Sequence, residues 1–420
     1  MPNHLVGRTV AAAVFAAATI QAIAPAAARS APFAQPHAPS TRTTLIAKID
    51  KALRGSTATH ARFQISGTSV GTVGRAPKRS SAPASNEKLL TTGTILALLG
   101  PQFRYATRVG STAPITHGKL RGNLDLIGAG DPTLTTGDLA KMARHLRRLG
   151  LRHVTGRLVV DDTRYSHHTR ARGWKPAFVP EESGPVSAFT VNHNDWRSGS
   201  AFDRDPTPDN ARLWRKALKA VHITVAGATK VAPVPSMPVR LLTHHSSTLA
   251  TIVEATLTYS INFDAEMMLR EIGAQRTGRG TIGTGIAGIQ AEAATLDVPT
   301  GTIHDGSGLS YDDRQTPATI VAWLKALSRL PKVSTAVYDG LPVACRTGTL
   351  DHRLCGSATS GRVRAKTGTL DHVTALSGFA TARSGRTLTF SFLLSGFSDR
   401  KFATAVSHLD KAVAVAVRNG

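Results

Sequence analysis

The sequence predicts an α/β sandwich in which an antiparallel sheet carries helices on both of its faces. Residues 363–395 contain three strand-like runs, and the turn at 384–386 joins the last two into an expected hairpin. Residues 402–417 repeat apolar side chains at a helical spacing, so a final amphipathic helix is expected to pack on the sheet. Near the start, residues 44–53 show the same helical spacing, and glycines break residues 62–74 into short strand-like runs. Elements contributed by both chain ends are expected to form one layered domain.

Three more helices are expected in this domain. Residues 85–100 form an apolar run that follows Pro83 and ends at a Gly-Pro pair. Residues 249–257 and 263–272 are also helical in pattern, with a short loop between them.

The middle of the chain differs in composition. Residues 106–245 carry many Gly, Pro, Asp and His residues between short strand-like runs. We interpret them as an inserted domain rich in β-structure. The sandwich domain is then discontinuous and consists of residues 44–105 and 246–420.

The first residues are typical of a secretory signal peptide. A short basic segment precedes an apolar Ala/Val-rich run, and small residues at 26–28 suit a cleavage site. We expect residues 1–28 to be removed and residues 29–43, which are rich in Pro, Ser and Ala, to form a flexible lead-in. The protein is therefore expected to be exported to the cell envelope or beyond.

The charge balance indicates anionic surroundings. Among 420 residues, 51 Lys and Arg face 27 Asp and Glu, which gives a formal charge of +24. A hydrophobic content of 41% argues against global disorder, and an aromatic content of 5% argues against a base-stacking platform. Export makes nucleic acid a poor partner, so we expect affinity for anionic cell-envelope polymers or a membrane surface.

Two cysteines limit the metal chemistry of the chain. They are too few for zinc clusters or iron–sulfur sites, and no metal ion or cofactor is expected. In an oxidising compartment Cys345 and Cys355 can form a disulfide, which would stabilise the fold by roughly 2–3 kcal/mol. Two separate thiols are the alternative.

The first chemical motif is Ser85 followed three residues later by Lys88, at the start of the helix predicted over 85–100. Residues at i and i+3 share a helix face, and a helix N-terminus favours developing negative charge. A serine needs a neighbouring base to become a nucleophile. Lys88 can act as that base if its surroundings lower its pKa from ~10.4 to about 7.4, or by roughly 4 kcal/mol. An ordinary helix cap beside a surface lysine is the alternative.

The second motif is Ser260 and Asn262, in the loop between the two later helices, where a hydroxyl and an amide can reach into a cleft. The third is a Lys-Thr-Gly-Thr run on a predicted edge strand. Its cation and hydroxyls suit a substrate carboxylate, and its glycine lets a substrate backbone approach the strand. The run consists of Lys366, Thr367, Gly368 and Thr369.

In this order, Ser-x-x-Lys, Ser-x-Asn and Lys-Thr-Gly are the signature of β-lactamases and penicillin-binding proteins. The chain resembles the D-alanyl-D-alanine carboxypeptidase/endopeptidase family, the low-molecular-mass class C penicillin-binding proteins. The resemblance covers most of the mature chain and implies the transpeptidase-like sandwich that these proteins share with serine β-lactamases. It includes PASNEKLLT (83–91), GNLDLIGAGDPTL (122–134), GW (173–174), GPVSAFTVNHN (184–194), YSINFDAEMMLREIG (259–273), DGSGLS (305–310), LPVA (341–344) and VRAKTGTLDHVTALSGFA (363–380).

This resemblance implies a serine D,D-carboxypeptidase, with D,D-endopeptidase cleavage of cross-linked peptidoglycan stem peptides as a further activity. Ser85 would attack the carbonyl between two D-alanines, and Lys88 would accept its proton. Ser260 and Asn262 would relay a proton to the leaving amine and hold the substrate amide.

The Lys-Thr-Gly-Thr run would bind the substrate's end. Lys366 would keep the local potential positive, while Thr367 and Thr369 would bind the terminal carboxylate. The backbone N–H groups of Ser85 and Thr369 would form the oxyanion hole. β-Lactams would trap the same serine.

Some features depart from the family pattern. The interval between Ser85 and Ser260 is shorter than in relatives with two nested insertions, so we infer one inserted domain. Ile261 replaces the usual Asp of the second motif. Tyr311 stands where many relatives carry Arg, which bears on recognition of the substrate side chain.

Other functions are weighed against this one. A β-lactamase or esterase on the same scaffold and a non-catalytic wall-binding protein are the alternatives. Ser69 lies in a Gly-x-Ser-x-Gly pattern that no predicted helix follows, as a nucleophile elbow would require. Residues 278–283 match a dinucleotide loop but follow a helix, and the His pairs at 167–168 and 244–245 lack metal-helix spacing.

A segment that nearly repeats the Lys-Thr-Gly-Thr run, here called the echo segment, raises the question of which of the two is catalytic. Arg346-Thr-Gly-Thr-Leu-Asp-His nearly repeats the run that begins at Lys366, but it lies between the two cysteines and has Arg in place of Lys. We assign the role to Lys366. Lys366→Ala should lower the rate of acylation by a β-lactam about 100-fold, the effect of losing one charge-stabilising donor. Arg346→Ala should leave that rate nearly unchanged, and the reverse ranking would show that the wrong repeat was chosen.

Overall fold

A computed structural model describes residues 41–194 and 205–420. The predicted signal peptide lies outside these residues, as does most of the predicted lead-in. Thr41–Leu53 form helix α1, so the expected flexible lead-in was wrong over residues 41–43. The helix packs through Leu45, Ile49 and Leu53, and one exposed turn precedes that buried face.

The predicted antiparallel sheet is present and is built from both ends of the described chain. Its first two strands form a hairpin near the start, and its last three lie between residues 363 and 395. Every neighbouring pair is antiparallel. In spatial order the strands are β12 (Val363–Leu370), β13 (Val373–Thr381), β14 (Thr387–Ser395), β1 (His60–Thr68) and β2 (Gly71–Arg75).

Helices cover both faces of this sheet. On one face α1 and α11 (Phe402–Asn419) pack against Leu376 and Phe392. On the other face Phe379 and Leu393 join a second core with a larger group of helices. That group consists of α2 (Lys88–Leu99), α6 (Leu249–Tyr259), α7 (Asn262–Thr277), α8 (Ile282–Thr295), α9 (Pro317–Leu327) and α10 (Pro331–Gly340).

Successive side chains of a strand point to opposite faces, so a central strand covered on both sides is apolar almost throughout. In β14 every side chain from residue 388 to residue 394 is buried, including those of Thr389 and Ser391. Phe392 and Leu394 enter the core beneath α11, whereas Leu393 enters the core beneath the larger helix group.

The strands between residues 106 and 245 form two further sheets. One is a five-stranded mixed sheet of order β10-β8-β6-β3-β11, and the other is a small sheet of order β4-β5-β7-β9. The strands are β3 (Ala106–Ser111), β4 (Ile115–Thr116), β5 (Lys119–Leu120), β6 (Leu124–Ile127), β7 (His153–Val154), β8 (Leu158–Asp161), β9 (Thr224–Val225), β10 (Thr229–Val231) and β11 (Val239–His245).

Three helices that the sequence analysis did not identify accompany these sheets: α3 (Thr136–Arg148), the short α4 (Phe178–Glu181) and α5 (Thr207–Ala220). α3 and α5 cover the same core, which contains Leu126 and Trp214. The two sheets begin and end within the residues expected to form an insertion, and the division of the chain into domains stays a prediction.

The predicted disulfide joins Cys345 and Cys355 with an S–S distance of 2.17 Å. It closes a loop that holds the echo segment, where Gly348–Leu350 form a 3₁₀ turn. No helix in the described ranges is long and apolar enough to cross a membrane.

Candidate active site

Ser85 lies in a 3₁₀ turn, Ala84–Glu87, that runs directly into α2. The turn is held by a close backbone approach: a Cβ built on Gly308 would come within 1.9 Å of the Ala84 carbonyl oxygen. Ala84 itself has a φ of 48°, which is uncommon for a residue with a side chain. The Ser85 side chain is left half-buried, at the boundary between core and solvent.

Lys88 is the first residue of α2 and is fully buried. Its Nζ lies 3.0 Å from Ser85 Oγ, 2.7 Å from Asn262 Oδ1 and 2.7 Å from the Ser307 carbonyl oxygen. An amide or carbonyl oxygen can only accept, so two of these contacts require N–H donors on Lys88. When the amine is neutral, its lone pair therefore faces the third partner, the Ser85 hydroxyl. This is the geometry of a base that takes the serine proton.

The electrostatics of Lys88 agree with that geometry. Burial lowers the pKa of Lys88 to about 8, although four acidic groups oppose the shift. At neutral pH roughly a tenth of the molecules then carry the neutral amine. The opposing groups are Asp305, Glu266, Glu182 and Asp264.

The second motif lies where α6 meets α7. Ser260 caps α6 with a φ of 60°, and this left-handed residue turns the chain so that Asn262 can begin α7. The Asn262 Nδ2 donates to the Glu182 carbonyl oxygen at 3.0 Å and lies 3.3 Å from Glu182 Oε2. These contacts orient the amide so that Oδ1 faces Lys88.

Ser260 is half-buried. Within the part of the chain that the structure describes, no hydrogen bond joins its hydroxyl to Ser85 or Lys88. The structure therefore brings Asn262 to the lysine but does not link Ser260 to either residue in this state.

The turn that supplies the Ser307 carbonyl is anchored from below. Glu266 Oε1 accepts from the N–H groups of Gly306 at 2.8 Å and Ser307 at 2.9 Å. Its other oxygen pairs with Arg270 at 2.9 Å, and both charged side chains are fully buried. Sequence reasoning missed Glu266, because a Glu and an Arg four residues apart also suit a solvated helix face.

The Lys-Thr-Gly-Thr run lies on β12, which is an edge strand as predicted. Lys366 is fully buried, and its Nζ donates to the Thr367 carbonyl oxygen at 3.0 Å. Burial, with repulsion from Lys88, holds the pKa of Lys366 well below its ordinary value. Thr369 is exposed toward solvent.

Glycine is needed at position 368 for a different reason from the one that the sequence suggested. A Cβ at this position would come within 2.8 Å of Asn86 Nδ2 and of the Pro83 carbonyl oxygen. The missing side chain therefore makes room for the turn that carries Ser85, and so it fixes the distance between strand and nucleophile.

The echo segment lies beside the catalytic strand. Arg346 is exposed, whereas Lys366 is buried near Lys88. Thr349 of the echo accepts a hydrogen bond from the Thr367 hydroxyl at 2.8 Å. The echo thus supports β12, and its own cation is not directed into the site.

A cavity of about 300 Å³ lies next to Thr369. Tyr311 forms part of its wall, stacks with Phe178 at 6.3 Å and accepts a hydrogen bond from the Asp371 N–H at 3.2 Å. Lys175 lies over the Tyr311 ring and pairs with Asp371. The cation nearest to this aromatic side chain is therefore Lys175.

The competing patterns lie elsewhere. Ser69 is in the β1–β2 turn, with no helix directly after it. Residues 278–283 cover the loop between α7 and α8 and the first two residues of α8. Asp162, His167 and Asp205 offer ligand atoms within 4.8 Å of one another. However, Asp162 already accepts from the Phe189 N–H at 2.7 Å and contacts His167 Nε2 at 2.6 Å. The expected absence of a metal stays a prediction.

A serine whose hydroxyl meets a buried amine, beside an edge strand that carries a second buried lysine, defines a serine enzyme that works through an acyl intermediate. Comparison with known proteins identifies the family. Residues 68–202 and 197–415 match the D-Ala-D-Ala carboxypeptidase 3 (S13) family.

The sequence is 30% identical over 398 residues to the D-alanyl-D-alanine carboxypeptidase of Actinomadura sp., covering 75% of this chain and 73% of that protein. The crystal structure of penicillin binding protein 4 from Haemophilus influenzae matches with a TM-score of 0.78 at 20% identity, covering 89% of this chain and 98% of that one. A peptidoglycan endopeptidase from Bdellovibrio bacteriovorus matches with a TM-score of 0.58 at 17% identity, covering 86% and 92%.

The chain belongs to the D-Ala-D-Ala carboxypeptidase 3 (S13) family and is a serine peptidase of that type. The predicted family, peptidase class and transpeptidase-like fold are confirmed.

Glu182 provides a test of how Asn262 is positioned. Glu182→Ala removes one acceptor of the Asn262 amide. Measured above about pH 9, where Lys88 is already mostly neutral, it should lower the acylation rate about fivefold, the effect of one hydrogen bond of about 1 kcal/mol. Glu182→Gln keeps an acceptor and should recover most of that rate. The neighbouring Glu181→Ala is the matched control, since Glu181 is also exposed. Equal effects of the two alanine variants in stopped-flow acylation would rule out the positioning role.

Proposed function

We propose that this protein is a serine D,D-carboxypeptidase that removes the terminal D-alanine from peptidoglycan stem peptides. The observation that carries the proposal is the set of three contacts made by Lys88 Nζ. Ser85 Oγ attacks the carbonyl carbon of the penultimate D-alanine while its proton passes to Lys88. The C–N bond then breaks, and the amine nitrogen of the departing D-alanine receives a proton.

The second half of the cycle uses water. Water attacks the ester carbon of the acyl-enzyme, the C–O bond to Ser85 breaks, and the serine proton returns. Ser260 and Asn262 are assigned the relay to the leaving amine and the contact with the substrate amide. Ser260 lies at the junction of α6 and α7, so a bound substrate amide is what would bring its hydroxyl into the relay.

Lys366 supports the preference for a free carboxylate. Its amine is buried, no carboxylate of the described residues pairs with it, and burial holds its pKa well below the ordinary lysine value. A buried cation without a partner is unfavourable, and an arriving C-terminal carboxylate would supply the counter-charge that favours the ammonium form of Lys366. The Thr367 and Thr369 hydroxyls lie on the same strand and are assigned to that carboxylate.

The oxyanion is assigned to the N–H groups of Ser85 and Thr369. Two features support this pair. Gly368 allows β12 to lie against the turn that carries Ser85. Residues 342–344 bridge the outer side of β12 only as far as Ala365, so among the described residues the outer side from Thr367 onward is available to a substrate main chain. Preorganised donors of this kind are typically worth about 3–4 kcal/mol each in the transition state.

The same site is expected to cleave cross-links. A D,D-endopeptidase reaction differs only in the group attached to the leaving amine, so Ser85 and Lys88 would act as before. β-Lactams carry a strained amide and a carboxylate and are expected to acylate Ser85.

We place the protein outside the cytoplasm, with residues 1–28 removed. The Cys345–Cys355 disulfide supports an oxidising compartment. The excess of positive charge supports attraction to anionic envelope polymers or to a membrane surface. Residues 44–105 and 246–420 are assigned to the catalytic domain, and residues 106–245 to the insertion.

Labelling with a fluorescent penicillin tests the proposal. The wild type should be labelled covalently, and Ser85→Ala should lose labelling because it has no nucleophile. Ser69→Ala, the matched control, should label as the wild type does.

Unchanged labelling of Ser85→Ala would overturn the assignment. Rapid hydrolysis of penicillin without release of D-alanine from a D-Ala-D-Ala peptide would favour the β-lactamase alternative.

A further inference from the structure

A cleft of the described residues lies apart from the site at Ser85. A cavity of about 570 Å³ lies between one face of the mixed sheet β10-β8-β6-β3-β11 and the C-terminal half of α7. None of the residues assigned to the peptidase site lines it. The residues that matter below are Arg104, Arg108, Asp161, Arg164, Arg240, His245 and Glu271.

Strand register brings the basic residues to this cleft. Arg108 of β3 pairs with Thr243 of β11, and Ala106 pairs with His245, so these side chains share one face of the sheet. Plain alternation would point Arg240 to the opposite face. The register shifts between residues 240 and 242, where Arg240 pairs with Gly110 and Leu242 with Val109. This bulge returns Arg240 to the cleft face, which is a known way of re-aiming a side chain.

The acidic groups of the cleft are already occupied. Glu271 accepts from Arg164 Nε at 2.9 Å, from the Tyr165 hydroxyl at 2.6 Å and from Gln275 at 2.6 Å. Asp161 accepts from the Thr163 N–H and hydroxyl and, at 2.8 Å, from the Val234 N–H. Their negative charge is therefore held by internal donors and by Arg164.

The remaining cations have no such partner. Over residues 41–194 and 205–420, no ion pair is formed by Arg104, Arg108 or Arg240, and all three are exposed. Arg104 donates only to the Ser246 carbonyl oxygen, at 2.7 Å, which leaves its charge uncompensated. Guanidinium groups that converge on one concave surface without counter-charges are suited to phosphate oxygens.

We propose that this cleft, the arginine cleft, binds a chain of phosphodiester groups in an anionic polymer of the cell envelope. Arg240 and His245 stand at opposite ends of a strand segment, about 13–16 Å apart at the rise of an antiparallel strand. That span exceeds a single phosphate and matches several successive units of an extended polyanion. The arginine cleft would hold the enzyme beside its wall substrate while leaving the site at Ser85 free. This proposal assigns a particular site to the affinity for anionic polymers that the net charge predicts. It does not depend on the peptidase assignment.

The test compares the wild type with Arg108→Ala/Arg240→Ala, using medium-chain inorganic polyphosphate as the probe and titrating at several salt concentrations. The double variant should bind about 10- to 100-fold more weakly. The negative slope of log K against log salt should become shallower by about 1.5, because two cations no longer neutralise phosphates. The matched control is Arg383→Ala/Arg386→Ala, which removes the same charge from the exposed turn between β13 and β14. It should change the affinity less than about twofold.

Each other outcome is decisive. If both double variants lost the same affinity for polyphosphate, the net charge alone would explain the binding, and the proposed site would be overturned. Binding of inorganic phosphate as tightly as polyphosphate would overturn the polymer. If Arg108→Ala/Arg240→Ala lost binding to phosphatidylglycerol vesicles but still bound polyphosphate, the occupant would be a membrane surface and the polymer proposal would be overturned. Penicillin labelling should stay unchanged in both variants, which separates this proposal from the peptidase assignment.

Discussion

The site depends on one buried amine. Lys88 Nζ has no contact with solvent and meets an amide oxygen, a backbone carbonyl and the Ser85 hydroxyl at 2.7 to 3.0 Å. Burial disfavours the charged form, and the two obligate acceptors direct the lone pair of the neutral form toward the serine. Distant parts of the chain must meet for this to happen, because Asn262 and Ser307 are each more than 170 residues from Lys88.

The surrounding structure keeps those partners in place and balances the charge. Glu266 and Arg270 hold the turn at Ser307, and Glu182 holds the amide of Asn262. Glu266 and Glu182 also raise the pKa of Lys88, which opposes the effect of burial. The pKa of the amine therefore stays close to physiological pH, and both of its protonation states are populated there. Lys366 is buried on the other side, where no carboxylate of the described residues pairs with its amine. The site is therefore prepared for an anionic substrate end and for a base of moderate strength.

Much of the site could be predicted because its chemistry is local in sequence. Ser85 and Lys88 are three residues apart, one in the 3₁₀ turn and the other at the start of α2, and Lys366 to Thr369 form a continuous run on an edge strand. Glu182 could not be found in this way. Its role arises from a loop after α4 that reaches the start of α7, and no periodicity records that contact. Gly368 was predicted for the approach of a substrate, whereas its space is filled by the turn beneath it.

The fold shows the same division. The hairpin of β13 and β14 and the terminal helices follow from alternation and helical spacing, since those patterns report which faces are buried. The bulge that turns Arg240 into the arginine cleft is a shift of one residue, and neither the bulge nor helices α3 and α5 were foreseen. Short strands within a Gly- and Pro-rich stretch leave pairing to tertiary contacts, so the sequence pattern underdetermines them.

The most direct test of this account is the pH dependence of acylation by benzylpenicillin. Because only neutral Lys88 can take the serine proton, the second-order rate should rise about tenfold per pH unit below its midpoint. That midpoint should lie near the lowered pKa of Lys88, about 8. A rate that stays flat between about pH 6 and 7.5, or a midpoint at the ordinary lysine value of ~10.4, would contradict the role of Lys88 as the base.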